Sequence, residues 1–294
     1  MKHSLFIVAL ASALAACGWG EVLGAAQAAA QTPTQSTASP SSGSTSAQGP
    51  MGNDQENAHK AHSVLEEGIK ALGGQAYLDI HDVQEQGRTY TFYHGRPTSN
   101  GIFYWRFVEL PDKERIELTP QRDVAYVYFE DKGYEITYKG AREVEKKDLD
   151  DYLRHRRLSL DAMLRVWMND PTVALFFDGN ALAGNVEAQK VTLINSKDEA
   201  VSLFFDADTH LPIKKSHTWR DPIDKQRNIE EETYDNYRPV QGIMTPYGFT
   251  RYFNGDMQTE RFVNSITYNK GLDEAMFNPN SGYNPTKPTG KHQK

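Results

Sequence analysis

One cysteine, Cys17, stands in 294 residues, and none follows it. Disulfides within the downstream chain and a cysteine nucleophile there are both excluded, so a folded domain has to be held by its apolar core. Long blocks of Lys and Arg are missing and the net charge is -7. The electrostatic footprint that nucleic-acid binding requires is therefore absent. Long apolar runs are scarce too. The N-terminal one, from Ser4 to Leu14, has about ten residues, too few to cross a hydrocarbon core of about 30 Å as a helix. There is no Gly-x-Ser-x-Gly elbow, no phosphate loop and no His-Glu-x-x-His helix, so the familiar hydrolase, nucleotide-binding and zinc-protease patterns have no foothold. Residues 31–51 contain almost only Ser, Thr, Gln, Ala, Gly and Pro. Such a segment buries too little to offset the entropy of ordering and reads as a flexible tether.

What is present begins with the layout of an export signal: the basic start Met1-Lys2-His3, the short apolar core, and small residues before Cys17. The order Leu14-Ala15-Ala16-Cys17 resembles a bacterial lipobox, which implies cleavage before Cys17 and acylation of its thiol. The alternative is an ordinary signal peptide cut near Ala28-Ala29-Ala30, which would discard Cys17. Either route exports the protein, to a periplasmic site anchored at the outer membrane through acylated Cys17 in the first case, or as a soluble periplasmic or secreted protein in the second. The chain divides into a signal peptide at 1–16 (or to about 30), a tether at 17–54, one domain at 55–280 and a tail at 281–294.

Within the domain, Ala58, Ala61, Leu65, Ile69 and Leu72 recur at spacings of three and four and stop at Gly73-Gly74, predicting a helix over about 55–72. A second apolar stripe from Leu149 to Trp167 predicts a helical region over about 147–168, broken where Ser159 caps its second half. The remainder reads as about a dozen short strands, at 84–93, 101–110, 115–119, 124–130, 134–138, 173–177, 187–195, 200–206, 212–219, 229–237, 243–254 and 259–268. Their connections are mostly too short for parallel crossovers. The expected class is α+β, with a strongly curved antiparallel sheet forming an open half-barrel and two or three helices covering its concave face.

Phe107-Val108-Glu109-Leu110-Pro111-Asp112-Lys113-Glu114-Arg115, Asp131-Lys132-Gly133-Tyr134, Phe205-Asp206-Ala207-Asp208-Thr209-His210-Leu211-Pro212, Tyr237-Arg238-Pro239-Val240-Gln241-Gly242-Ile243-Met244-Thr245-Pro246 and Asn269-Lys270-Gly271-Leu272-Asp273-Glu274-Ala275-Met276-Phe277 follow one another in an informative order. On these motifs the chain resembles the outer-membrane lipoprotein-sorting carriers, the LolA/LolB-like superfamily of half-barrels, over about 58–279. The resemblance implies a noncatalytic protein that binds a lipid or a lipoprotein acyl chain in an apolar cavity, with no cofactor. In the carriers an arginine precedes the proline after the second strand and helps hold the empty cavity closed. Here Leu110 stands before Pro111, so the resemblance implies the fold and not lipoprotein transfer itself.

Aromatic residues supply the candidate ligand-binding set: Phe103, Trp105, Phe107, Tyr126, Trp167 and Phe249. Phe103, Trp105 and Phe107 alternate and so share one face of their strand, while Ile102, Tyr104, Val108 and Leu110 occupy the other. The sequence leaves open which face is concave. The alternative function is an envelope sensor or interaction module that offers a sheet edge to a protein partner. His59, His62 and Glu66 have helical spacing for a divalent metal, but exposed positions on an amphipathic helix explain them as well. His210 and His217 read as solvated or structural, and Asp148, Asp150 and Asp151 as favouring a helix N-terminus. Arg154, Arg156 and Arg157 read as a solvated face, with an anionic lipid contact as the alternative. Two acyl chains are needed for stable anchoring, and the acidic domain offers no polybasic help. If Cys17 carries them, Cys17→Ser moves the protein from the membrane to the soluble fraction. Intact mass of the wild type checks this: a product starting near Gln31 without a lipid adduct contradicts the anchor.

Overall fold

The first helix, α1 (Pro50–Leu72), starts five residues before the expected position. It buries Ala61, Val64, Leu65 and Leu72 on one face, as their spacing dictates. Gly73, at φ 129°, ends it, and its backbone lies so close to Gly242 O that a Cβ would sit 2.6 Å from that oxygen. The computed structural model describes residues 50–98, 100–221 and 225–281. The signal, the tether up to residue 49, Cys17 and all but the first residue of the expected tail lie outside the described residues.

A short helix, α2 (Gln75–Leu78), leads into the strands. These are β1 (Asp82–Tyr93), β2 (Arg96–Pro97), β3 (Ile102–Glu109), β4 (Lys113–Leu118), β5 (Val124–Phe129), β6 (Lys132–Thr137) and β7 (Gly140–Glu143). The helical region follows as α3 (Lys146–Arg157), α4 (Leu160–Arg165) and a 3-10 turn at Trp167–Asn169. Ser159 breaks it as expected, its Oγ accepting from the Ala162 amide at 3.1 Å. The second set of strands is β8 (Ala174–Ala183), β9 (Val186–Ile194), β10 (Ala200–Asp206), β11 (Pro212–Arg220), β12 (Arg227–Asp235), β13 (Arg238–Val240), β14 (Ile243–Thr245), β15 (Gly248–Phe253) and β16 (Asp256–Tyr268), before a 3-10 turn at Glu274–Phe277. The expected single strand over 243–254 is two strands. Pro246 lies between them, and a proline has no amide to donate to a ladder.

Fourteen strands form one open sheet in the order β7, β6, β5, β4, β3, β1, β16, β15, β12, β11, β10, β9, β8, with β2 on β1 and a separate hairpin of β13 and β14. Every pairing is antiparallel. β1 and β16 lie side by side in the middle, so the chain runs out along one wing to β7 and re-enters at the far edge through β8. The segment from α3 to the 3-10 turn makes that passage. α1 packs on β8, β9 and β10, where Val191, Leu193, Val201, Leu203 and Phe205 are fully buried. On the other wing, Tyr152, Leu149 and Leu153 of α3 pack against Tyr104, Ile116, Leu118, Tyr126 and Tyr128. The opposite face carries a smaller cluster in which Met276 and Phe277 cover Val127, with Phe107 and Ile136 beside them.

Asn57 closes the β8 edge at one point. Its side-chain amide donates to Phe177 O and accepts from Phe177 N, both at 2.8 Å, as a neighbouring strand would. This is one way a protein protects an unpaired edge.

Gly68 marks the closest approach of α1 to the sheet, where a Cβ would lie 2.3 Å from Phe205 Cε1. Two effects oppose each other in Gly68→Ala. Better helix propensity contributes up to about 1 kcal/mol, and overpacking a closed core costs about 1–3 kcal/mol. Phe205 is completely buried and the new methyl could fit only by displacing its ring, so the second effect wins. Urea unfolding of Gly68→Ala shows a net loss of about 1 kcal/mol or more; an unchanged midpoint contradicts this packing.

Candidate functional site: a buried polar band beneath α3

Alternation along β3 sends Tyr104, Arg106 and Val108 towards the helices and Phe103, Trp105 and Phe107 away from them. On that outer side Phe103 and Trp105 stack at 6.5 Å, with the Arg88 guanidinium 4.2 Å from the Phe103 ring and Arg122 at 5.3 Å from Trp105. Trp105 Nε1 donates to Gln86 Oε1 at 3.1 Å. Phe107 packs beneath the C-terminal 3-10 turn. Tyr126, Trp167 and Phe249, by contrast, lie on the helix-covered side. Tyr126 Oη donates to Glu135 at 3.0 Å, Trp167 is buried in the cluster under α1, and Phe249 lies 3.8 Å from the Arg261 guanidinium and edge-on to Tyr234. The six aromatics are thus divided between two faces.

Between the two apolar clusters of the helix-covered face runs a band of buried charge. Glu85 accepts from Tyr104 Oη at 2.5 Å, pairs with Arg106 Nη1 at 3.5 Å and is held by Arg261. Burial works against its charge, yet Arg261 and Arg106 outweigh it and keep the carboxyl below its usual range. Arg106 Nε reaches Glu114 at 2.5 Å, and Tyr152 Oη of α3 donates to the same carboxylate at 2.7 Å. Further along, Glu232 pairs with Lys215 at 3.4 Å and Arg251 at 3.8 Å and accepts from Tyr234 at 3.0 Å.

Glu230 of β12 is the hub. Its Oε1 accepts from Arg154 Nη2 at 2.9 Å and from Trp219 Nε1 at 3.0 Å; its Oε2 meets His155 Nε2 at 2.6 Å and His217 Nε2 at 3.4 Å. Arg154 also pairs with Asp151 at 2.6 Å and lies 4.1 Å from the Trp219 ring. Burial opposes the Glu230 charge, and the surrounding donors, led by His155, more than compensate and hold it ionised. Burial pushes the imidazoles the other way: His155 falls to about 4, helped by Arg251 and Arg154, and His217 to about 3, helped by Lys215. Glu230 opposes both shifts without overcoming them. Arg154 Nε, His155 Nδ1 and both His217 nitrogens have no hydrogen-bond partner.

Arg154 is therefore no part of a solvated face: its side chain is 15% exposed and its guanidinium is pinned from two sides. Arg156 donates to the carbonyls of Asp112 and Glu130, and Arg157 pairs with Glu199. His217 sits inside β11 and is buried, while His62 pairs with Glu66 at the surface. Among the described residues no group of His, Cys, Asp and Glu is placed to hold a metal ion. None of the described helices is long and apolar enough to cross a membrane. Sequence reasoning missed the band because Glu230, Glu231 and Glu232 are consecutive. Only strand alternation separates the two that face the helices from Glu231, which pairs outside with Lys214. An open groove of about 600 Å³ lies near that pair, lined also by Thr233, Tyr237 and Tyr252.

No protein-family model matches the sequence, and no curated protein matches it. Solved structures do. A DUF1329 family protein from Desulfovibrio piger is similar with a TM-score of 0.55 at 11% identity, over 75% of this chain and 97% of that one. A putative outer membrane lipoprotein-sorting protein domain from Vibrio parahaemolyticus gives 0.50 at 13%, over 76% and 98%. A LolA superfamily protein from Nitrosomonas europaea gives 0.46 at 12%, over 74% and 96%. With its open antiparallel sheet and its helices packed on one face, the chain shares the fold of the Desulfovibrio piger and Vibrio parahaemolyticus structures.

Proposed function

We propose that this is a noncatalytic envelope protein that binds a lipid, a lipoprotein acyl chain or another amphiphile between the sheet and its helices, with lipoprotein sorting at the outer membrane as the process it serves. One pair of contacts carries the reading. Tyr152 stacks on Tyr128 of β5 at 3.6 Å, and His155, three residues later, meets Glu230 of β12 at 2.6 Å. Six strand spacings separate β5 from β12. In a flat sheet that is about 29 Å, more than two side chains on one turn of helix can bridge. The contacts support a sheet curled around α3, a half-barrel with its helices on the concave side, and so a face with apolar walls to either side of the polar band.

A cavity of that kind is formed by moving α3, because Tyr152, Leu149 and Leu153 fill the space against one wall. Each methylene then buried against Leu118, Leu193, Leu203 and their neighbours contributes about 0.8 kcal/mol. That the Vibrio parahaemolyticus neighbour is described as a lipoprotein-sorting domain agrees with this reading. The lipobox resemblance at Cys17 adds a membrane anchor, and residues 17–49 the length to hold the domain clear of the surface.

Lipid extraction of purified protein followed by mass spectrometry, with uptake of a fluorescent fatty acid, tests the proposal. An amphiphile is recovered or taken up. Trp105→Asp leaves uptake within about twofold, since Trp105 is on the face turned away from the helices and its charge meets solvent there. No amphiphile and no uptake by well-folded protein contradicts the function; loss of uptake in folded Trp105→Asp moves the site to the outer face.

A further inference from the structure

The Glu230 hub does something that amphiphile binding alone does not require: it buries two histidines against a helix that has to move. α3 is joined to β11 and β12 through Arg154 and His155, which share Glu230 with Trp219 and His217. The ion pairs and hydrogen bonds given for α3 with these two strands converge on one carboxylate, beside the ring contact of Arg154 with Trp219. His217 is 4% exposed, and the His155 side chain 11%. With His155 Nε2 engaged by Glu230, an added proton on that ring falls on Nδ1, which has no hydrogen-bond partner. The charged groups around them are Lys147, Asp151 and Arg154 on α3, Lys215 on β11, Glu230 and Glu232 on β12, and Arg251 on β15.

We propose that this cluster is a proton-operated latch, in which protonation of His155 and His217 releases α3 from β11 and β12 and uncovers the helix-covered face. With α3 docked, the imidazoles are neutral and Glu230 is satisfied by Arg154, Trp219 and His155. A proton on either ring would have to be held in a desolvated site already facing Arg154, Arg251 and Lys215. With α3 released, both rings meet water and take up protons at the ordinary histidine value of about 6.5. The released state thus binds more protons than the docked one. Docking is at full strength above pH 6.5 or so and weakens as pH falls towards the depressed values of about 4 and about 3. That released α3 admits an amphiphile rests on the function proposed above; the latch itself does not.

Hydrogen exchange of the α3 amides, corrected for the intrinsic rate, measures release without any amphiphile, so it tests the latch even where amphiphile binding fails. Linkage sets the size: between about pH 7.5 and 5.5 each histidine multiplies the released population by about 10, and the two together by about 100. The amides of Val191 and Leu193 in β9 serve as the control in the same sample, because their cross-strand neighbours are Leu203 and Phe177, and Val201 and Leu175, in the apolar cluster under α1. His155→Gln keeps a donor for Glu230 but does not titrate; it and His217→Gln each reduce the response to about 10-fold, and the double variant abolishes it. An α3 response in wild type no larger than that of the Val191 and Leu193 amides overturns the proposal even where a variant fails to fold. So does a full response in the folded double variant.

Discussion

The chain leaves its sheet at one edge and returns at the other, and the helical segment between Lys146 and Asn169 has to make that crossing over a single face. Much else depends on this constraint. A helix that passes over many strands cannot present one apolar stripe to one apolar floor. α3 accordingly meets an aromatic wall through Tyr152 and a charged strand through Arg154 and His155 within a single turn. The apolar work is done at the two ends, by α1 over β8 to β10 and by α3 over β3 to β5.

The polar middle is costly ground. Taking a carboxylate out of water costs several kcal/mol, which an ion pair recovers only when the remaining lone pairs and protons are satisfied. Glu85, Glu114 and Glu230 meet that condition by each accepting from more than one donor. A core of the same volume built from leucine would hold α3 at least as firmly. It could not respond to pH, and it could not exchange helix contacts for water without exposing a continuous apolar surface. The arrangement therefore suits a helix that is docked and released more than one that is permanently buried.

Sequence patterns revealed much of the architecture and little of the site. The strand over 200–206 coincides with β10, and the break at Ser159 is present, because a short aromatic and β-branched stretch between turn residues and a side-chain cap are local signals. β2, β7 and β13 went unread. Two to four residues long and largely exposed, they carry no apolar period; β2 and β7 each pair with a longer neighbour, and β13 with the equally short β14. The face of β3 could not be assigned from its sequence, since one face is aromatic throughout and the other aliphatic and aromatic apart from Arg106. The outer one is covered by Arg88 of the neighbouring strand, by Arg122 and by the C-terminal turn, the last far away in sequence. The charged band is the deeper omission. A glutamate in a strand looks solvated until the helix that meets it is known, and that helix comes from the crossing and not from β12.

The central claim is that an amphiphile occupies the helix-covered face. Methyl NMR with a fatty acid carrying a nitroxide on its chain tests it most directly, because the two faces have separate methyl reporters. Broadening of Leu118, Leu193 and Leu203, which lie beneath the helices, with Val127 and Ile136 left sharp, is the predicted result. Broadening confined to Val127, Ile136 and Ile229 would contradict the account.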